Sequence, residues 1–585
     1  MKHCGINNET EVCASYTGAC ILIESLIAQG VDTVFGYPGG AVLNIYDELY
    51  RQKDRIRHIL VSHEQHAAHA ADGYARSTGK VGVCIATSGP GATNLVTGIA
   101  TAYMDSSPVV AITGNVTNEL LGKDSFQEVD ITGITMPVVK HNWIVKDINE
   151  LAKIISEAFI IARCGRPGPV LIDIPKDVTA AKTDILSSLS NTTTAVSERA
   201  ERLAMRTARE TFNDTDIDTA VRLIKLAERP IIYAGGGVII SGADNELREL
   251  AERIGAPVAL SLMGHGALSR SHPLWTGMLG MHGTVASNKA VQKADLLITL
   301  GARFSDRVTS RADKFAKNAK ILHFDIDPAE INKNIRSSFY VSGDIKKILK
   351  LLLEKIPELH HPEWNNEIQK WKGHTPPSHI PGENRKTILH PRFIVEETAK
   401  LAGNNAIIVT DVGQHQMWTA QFFPFEAPRS FITSGGLGTM GFGLGAAFGA
   451  KIANPKKNVI LFTGDGSFRM NCAELGTLAA YKIPVLIIVF NNGVLGMVRQ
   501  WQKLFYEERY SETVLDRSPD LVKLAEAYGL CGMRARHSTE FIAALENAKI
   551  ELSSGRACVI DAVIDSNEMV LPMVPGGKPI DEQIL

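Results

Sequence analysis

Short runs of valine, isoleucine and leucine alternate with longer segments of helical spacing along most of the chain. Three such runs are VGVCIATS (81–88), PVVAITG (108–114) and PVLIDIP (169–175). Three more are PIIYAGGG (230–237), ADLLITLGARF (294–304) and KILHFDID (320–327). NAIIVTDVG (405–413), NVILFTGDG (458–466) and PVLIIVFNN (484–492) complete the set. Strands that are apolar on both faces and separated by helices predict parallel sheets covered on both sides. Two polar, irregular stretches interrupt the pattern: 185–215, rich in Ser, Thr, Asn and charge, and 360–390, with repeated His, Pro, Gly and Lys. Read as linkers, they divide the chain into three doubly wound α/β units at 12–185, 210–355 and 388–565, followed by a tail at 566–585.

Composition narrows the classes of function. A length of 585 residues is too great for one core, and a hydrophobic content of 45% supplies several. A formal net charge of -2 gives no electrostatic reason to expect nucleic acid or an anionic membrane as partner. No apolar stretch approaches the roughly 18 residues that span a bilayer. The start, MKHCGINNETEVCASYT, lacks the basic-then-apolar layout of a signal peptide. The eight cysteines (Cys4, Cys13, Cys20, Cys84, Cys164, Cys472, Cys531 and Cys558) show neither C-x-x-C nor a zinc spacing. Reduced thiols and a cytoplasmic location are therefore expected.

Candidate chemistry sits where strands end. In RHILVSHEQHAAHAADGYARSTGK an apolar strand is followed by Glu64 in the first turn of an alanine-rich helix. An acid there complements the helix dipole, worth a few tenths up to about 1 kcal/mol, and position alone does not distinguish that role from chemistry. His66 and His69 are helix-spaced but lack a third ligand in the sequence, so they read as surface or packing histidines. Gly89-Pro90-Gly91 follows a strand and opens a helix, leaving backbone amides free, and FGYPGG (35–40) supplies another flexible turn. Several glycine turns and an acid at strand ends of one sheet suggest a ligand cleft.

In the third unit Asp465 lies between two glycines, and Asn492 ends an apolar run 27 positions further on. Both offer oxygen ligands of the type that magnesium selects, with a nearby backbone carbonyl, that of Val494, as a third. The flanking glycines let a diphosphate approach the backbone. No 12-residue calcium loop and no G-x-x-x-x-G-K-[ST] loop compete with that reading.

GDG followed at this distance by NN resembles the metal–diphosphate motif of thiamine-diphosphate enzymes. From YPGGA (37–41) to VLPMVPGG (570–577) the chain is similar to the catalytic large subunits of the acetohydroxyacid (acetolactate) synthase family. The matching motifs include SGPGATN (88–94), FQE (126–128), KHNW (140–143), GRPGPV (165–170) and MLGMHGT (278–284). GARFSDRVT (301–309), DVGQHQMW (411–418), SGGLGTMGFGLGAA (434–447) and GMVRQWQ (496–502) continue the series in order. Thr117 departs from the proline that many relatives carry there.

The resemblance implies roles by position. Glu64 would hydrogen-bond the aminopyrimidine ring of thiamine diphosphate and help remove the thiazolium proton, with Gln127 and Lys176 also catalytic. Gln414, His415, Gly438, Thr439 and Met440 would line the two rings. Gly464, Asp465, Gly466, Ser467, Asn492 and Met497 would hold diphosphate and Mg2+, with Asp465, Asn492 and Val494 as metal ligands. FAD would lie near Arg166, Gly236, Leu262, Leu279, Gly280, Met281, His282, Gly301, Ala302, Arg303, Phe304, Ser305, Asp325, Ile326 and Asp344, in a structural role. Phe126, Arg307 and Trp501 would meet the substrates, pyruvate and 2-oxobutyrate. A homodimer or homotetramer and a small regulatory subunit are further implications. An FAD-dependent pyruvate oxidase of the same fold is the alternative activity.

Overall fold

The computed structural model describes residues 16–183, 212–372 and 389–585, and three six-stranded parallel sheets organise them. The first sheet contains β1 (Thr33–Gly36), β2 (Arg57–Leu60), β3 (Gly82–Ala86), β4 (Val109–Asn115), β5 (His141–Ile144) and β6 (Val170–Pro175), ordered β2-β1-β3-β4-β6-β5. The middle sheet contains β7 (Pro230–Ala234), β8 (Val258–Leu260), β9 (Trp275–Met278), β10 (Leu296–Leu300), β11 (Lys320–Asp325) and β12 (Phe339–Ser342), ordered β9-β8-β7-β10-β11-β12. The third contains β13 (Ile407–Thr410), β14 (Phe431–Thr433), β15 (Val459–Gly464), β16 (Leu486–Asn491), β17 (Cys531–Ala535) and β18 (Cys558–Val563), ordered β14-β13-β15-β16-β18-β17.

The nine apolar runs all become strands, and the strand stops where the turn residues begin: β7 ends before Gly235 and β10 before Gly301. The middle sheet shows why such runs need no polar alternation. Ile231, Tyr233 and Leu297 pack into one buried cluster, while Ile232, Ala234, Ile298 and Leu300 pack into another. Each isoleucine or leucine among them stabilises by about 1.5–3 kcal/mol on burial. In the first sheet every residue of β3, β4 and β6 is buried, so an acid in place of Ile112 would break that layer.

Two compact units are present. One holds the first sheet together with Ser434–Lys456 and Met470–Val485, and the other holds the middle and third sheets. Within the first unit the helix Glu64–Thr78 crosses the helix Gly443–Ala453 at backbone distance. A Cβ on Gly73 would fall 2.1 Å from the Ala446 carbonyl oxygen, and one on Gly449 2.0 Å from that of Ala70. The small residues of both helices are thus a packing requirement.

Both expected linkers extend too far. Most of 185–215 lies outside the described residues, but Asn213 already caps the helix Asp214–Lys225 through a reciprocal capping box with Asp216. In 360–390, Pro362–Lys372 form a helix that buries Trp364 and Ile368. Their four-residue spacing was the overlooked helical signal; residues 373–388 lie outside the described residues. Among the described residues no helix is long and apolar enough to cross a membrane.

Candidate active site

In the first unit, Glu64 is the first residue of its helix and is buried. His63 caps that helix through its ring, which accepts from Gln65 N at 3.1 Å. The Glu64 carboxylate accepts from Asn94 Nδ2 at 2.9 Å, and its other oxygen lies beside Gly91. Asn94 and Gly91 belong to the short helix opened by the Gly-Pro-Gly turn, so the structure brings the acid and that turn together. Gln127 joins them: its φ is +60°, and its carbonyl would be 2.8 Å from a Cβ on Gly89. A non-glycine residue in the left-handed region costs free energy and needs the surrounding loop to impose it. Phe126 beside it is 88% exposed. Lys176 is exposed at the start of the helix Lys176–Ala180, and no hydrogen bond or ion pair joins it to Glu64 or Gln127 among the described residues. Arg166 donates from Nε to Ser106 Oγ at 2.8 Å.

The same unit holds Gly438, Thr439 and Met440 in a loop anchored from below. Asp105 accepts from Gly435 N at 3.1 Å and Gly436 N at 2.6 Å. Thr101 and Thr439 share a hydroxyl hydrogen bond of 2.7 Å, and Thr439 N donates to Ser434 Oγ at 3.0 Å. Arg76 neutralises Asp105 (3.0 Å) and Asp72 (2.6 Å) in the interior. Nothing in the sequence singled out this triad, although Asp72 and Arg76 stand four apart on one helix face.

His66 and His69 are both buried, not surface residues. His66 Nδ1 lies 2.9 Å from Glu474 Oε1, and His69 is held neutral by its burial, its pKa pushed well below the usual histidine range.

In the second unit, β13 and β15 are the neighbouring strands at which the third sheet reverses direction of growth, the crevice where open α/β sheets bind ligands. The turn after β13 leads into the helix Gln414–Phe422, and β15 leads into Asp465. Asp465 is 1% exposed, and Gly493 N donates to its Oδ2 at 3.1 Å. Burial pushes its carboxyl up to about 7 against the backbone N–H groups of Gly466 and Gly493. Ser467 Oγ donates to Val412 O at 3.1 Å. Asn492 Oδ1 accepts from Val494 N at 3.1 Å, and its Nδ2 donates to Gln414 Oε1 at 3.2 Å. Gln414 Nε2 donates onward to Gln500 Oε1 at 3.0 Å. A Cβ on Gly496 would fall 2.1 Å from Gln414 Oε1 and 2.7 Å from Asn492 Nδ2, so only glycine leaves room for this buried amide chain. Gly496 and Gln500 stand in the motif GMVRQWQ, but their part in this amide chain was not legible there, because an amide and a glycine on a helix carry no signal of their own. Met497 packs against the third-sheet core.

The middle sheet reverses between β7 and β10. There a Cβ on Gly235 would meet the Gly301 carbonyl oxygen at 2.3 Å, and Gly301 has φ +53°. Gly236 opens a helix on one side of the crevice, while Ala302, Arg303, Phe304 and Ser305 follow on the other. Leu262 lies in the turn after β8, and Leu279, Gly280, Met281 and His282 are buried after β9. Asp325 ends β11 and accepts from Asp327 N at 2.9 Å; Ile326 follows it. Asp344 is the N-cap of the helix Ile345–Lys355, accepting from Lys347 N at 3.0 Å, a structural duty that the sequence did not suggest.

Three family profiles match the chain. The N-terminal TPP binding domain of thiamine pyrophosphate enzymes matches residues 16–134, their central domain 217–352 and their C-terminal TPP binding domain 411–562. Over 572 residues the chain is 47% identical to the acetolactate synthase large subunit of Cyanidium caldarium, covering 96% of this chain and 95% of that one. It is 48% identical to the acetolactate synthase of Arthrospira platensis over 96% of each chain. The acetolactate synthase large subunit of Pyropia yezoensis is 46% identical over 97% of this chain and 95% of its own.

The chain belongs to the acetolactate synthase family of thiamine pyrophosphate enzymes.

Thiamine diphosphate fits what this family member presents. His415 is buried, its pKa is pushed down to about 3 by burial, and its Nε2 has no hydrogen-bond partner among the described residues. A buried imidazole nitrogen left unpaired is costly unless a ligand satisfies it. Asp465 is likewise a buried carboxylate, faced among the described residues by backbone amides and no side-chain cation, which a divalent ion would complete. Among the described residues no three His, Cys, Asp or Glu side chains cluster, so a metal here would rest on Asp465 with amide and carbonyl oxygens. Two motifs far apart in the chain also meet within the second unit: the Arg307 guanidinium lies 5.9 Å from the centroid of the Trp501 ring. Arg307 is mostly exposed, with only Asp306 at 3.8 Å as an ion-pair partner among the described residues.

Proposed function

We propose that this chain is the catalytic subunit that decarboxylates pyruvate and joins the remaining two-carbon unit to pyruvate or 2-oxobutyrate. The products are 2-acetolactate and 2-aceto-2-hydroxybutyrate, and the reaction opens the branch to valine, leucine and isoleucine. Thiamine diphosphate, when bound, supplies the electron sink that decarboxylation of a 2-oxo acid requires.

The chain's own groups divide the remaining work. Glu64, oriented by Asn94, exchanges a proton with the aminopyrimidine ring through its carboxyl oxygen. Gln127 and Lys176 are kept as further catalytic residues. His415, Gly438, Thr439 and Met440 shape the ring contacts. Asp465, Asn492 and the Val494 carbonyl hold Mg2+, while Gly464, Gly466, Ser467, Gln414 and Met497 cradle the diphosphate. Gly236, Leu279–His282, Gly301–Ser305 and Asp325 would hold FAD along the β7/β10 crevice, and Arg166 is kept as a further FAD contact that the family resemblance implies; its role would be structural, because the net reaction moves no electrons. The same reading keeps the domain limits 12–185, 210–355 and 388–565, with a tail at 566–585. It includes a homodimer or homotetramer with a small regulatory subunit. A cytoplasmic location is supported by Cys84, Cys531 and Cys558, which are free thiols.

The observation that carries the substrate assignment is Arg307 beside Trp501. A guanidinium can grip a 2-oxo acid carboxylate with paired charged hydrogen bonds, and an indole face can pack one additional methylene. The deciding experiment supplies pyruvate with and without 2-oxobutyrate, scores both products, and follows flavin absorbance by stopped flow. Both ligation products with an oxidised flavin are expected. Flavin reduction at the catalytic rate, without ligation product, would replace this assignment by pyruvate oxidation.

A further inference from the structure

The two residues immediately before Glu64 are held by a carboxylate that neither the motifs nor the roles above involve. Glu474 ends the short turn Cys472–Glu474 and is 0% exposed. Its Oε1 accepts from Ser62 N at 2.9 Å, from His63 N at 3.1 Å and from His66 Nδ1 at 2.9 Å. Its Oε2 accepts from Thr477 Oγ1 at 2.6 Å. The segment around it reinforces the grip: Ser62 Oγ donates to Ala473 O at 3.0 Å, and Leu60 N donates to Tyr481 Oη at 2.9 Å. The backbone from the end of β2 to the residue before Glu64 is therefore fixed atom by atom, all within the first unit.

Capping the helix does not require this. His63 already caps it through its own ring, and the 15-residue helix carries Glu64 in its first turn for the dipole. Burying a second carboxylate completely costs several kcal/mol in lost hydration unless every lone pair is used. Four donors, with no lysine or arginine among them, meet that cost here. What the arrangement adds beyond a cap is direction, because the dihedrals of Ser62 and His63 set where the Glu64 side chain starts. From that start its carboxylate reaches Asn94 at 2.9 Å and lies beside Gly91.

We propose that Glu474 is a positioning residue for Glu64. The proposal rests on Glu64 as the acid that acts on the cofactor. Displacing a reacting group by about 1 Å can cost about 100-fold, which sets the size of the effect to look for.

The test uses full-length holoenzyme carrying Glu474→Ala, Glu474→Gln or Glu474→Asp, with Glu64→Gln in parallel. The first readout is hydrogen exchange at the thiazolium carbon per bound cofactor. The second is amide hydrogen exchange at Ser62 and His63 in the cofactor-free chain, and the third is cofactor affinity. Glu474→Ala is expected to expose both amides to exchange and to slow thiazolium exchange about 100-fold, with affinity unchanged. Glu474→Gln keeps a carbonyl acceptor for Ser62 and His63 and is expected to recover most of the rate. Should Glu474→Ala not fold, Glu474→Asp, with its carboxylate on a shorter arm, is expected to slow the exchange in its place. Wild-type thiazolium exchange in Glu474→Ala or Glu474→Asp overturns the proposal. Equal losses in Gln and Ala also overturn it, since charge and not hydrogen-bonded geometry would then matter. Wild-type exchange in Glu64→Gln overturns the assignment of Glu64 itself, whatever Glu474 does.

Discussion

The first and third sheets have one strand order, written as 2-1-3-4-6-5 within each, and one internal landmark. Asp173 on β6 lies opposite Thr113, and Asn115, two residues on, donates to it at 2.5 Å. Asp561 on β18 lies opposite Val489, and Asn491, two residues on, donates to it at 2.8 Å. The same pair in the same register stitches the fourth and sixth strands of both sheets. The chemistry differs only in the residues just past the strand ends. After the second strand the first sheet has Glu64, where the third has Ser434 and two glycines. After the third strand the third sheet has Asp465, where the first has Thr87 and the Gly-Pro-Gly turn. After the shared asparagine the third sheet has Asn492, where the first has Val116. The first asparagine of the NN pair thus ties two strands together, while the second bonds Val494 N and Gln414 past the strand end, where the proposed metal site lies. The scaffold carries function at its strand ends, and the strands themselves say little about it.

The two sheets separate most clearly at their shifted carboxyls. Burial pushes Asp173 and Asp465 alike to about 7, but Asp173 is satisfied by Thr113 and Asn115 side chains and Asp465 by backbone amides alone. Losing a residue that merely supports a metal ligand costs 10- to 100-fold, so Asp465→Ala should weaken retention of Mg2+ and thiamine diphosphate by more than about 100-fold in equilibrium dialysis. Asp173→Asn should lower the melting temperature and leave retention unchanged. If both variants lose cofactor alike, the sheets do not divide the labour.

Next in size is Gly496→Ala. The new methyl must displace Gln414 or Asn492, and cofactor affinity should fall about 10- to 100-fold by calorimetry in a normally folded chain. A smaller effect is expected further along the same helix, which has no counterpart after β4. Trp501→Leu should keep acetolactate formation but lower the preference for 2-oxobutyrate about tenfold, read as a product ratio in competition. An unchanged ratio would move selectivity elsewhere.

The smallest effect concerns pH. With a folded value near 7 and an unfolded value of 3.8, Asp465 binds more protons folded than unfolded between the two. Its contribution is therefore fully present at low pH and is lost as pH rises through about 7 in the metal-free chain. Asp465→Asn should flatten that part of the thermal-stability profile relative to wild type, and an unchanged slope would show that the carboxyl is not buried as described.

Much of this was legible because it stems from local rules. Apolar runs on both faces forecast the parallel sheets, and Asp465 and Asn492 were readable as candidates from strand ends beside glycine, whereas position alone left the role of Glu64 open. The hidden features depend on partners distant in the chain. Glu474 lies 410 residues from Glu64, and nothing near it in sequence shows that it receives Ser62 and His63. Asp105 looks like an ordinary helix-end acid until Gly435 and Gly436 donate to it. Trp364 and Ile368 were hidden for a different reason, since the polar residues around them masked a helical spacing that was present.

In the division of labour proposed above, the first sheet would activate the cofactor and the third sheet would anchor it. The most direct measurement pairs Mg2+-dependent binding of thiamine diphosphate, by titration calorimetry, with hydrogen exchange at the thiazolium carbon in Glu64→Gln and Asp465→Ala. Glu64→Gln should bind the cofactor with near wild-type affinity and exchange the proton about 10²- to 10⁴-fold more slowly, the usual contribution of a positioned acid or base. Asp465→Ala should fail to bind it at magnesium concentrations that saturate the wild type. Cofactor binding lost in Glu64→Gln, or retained in Asp465→Ala, would contradict this division.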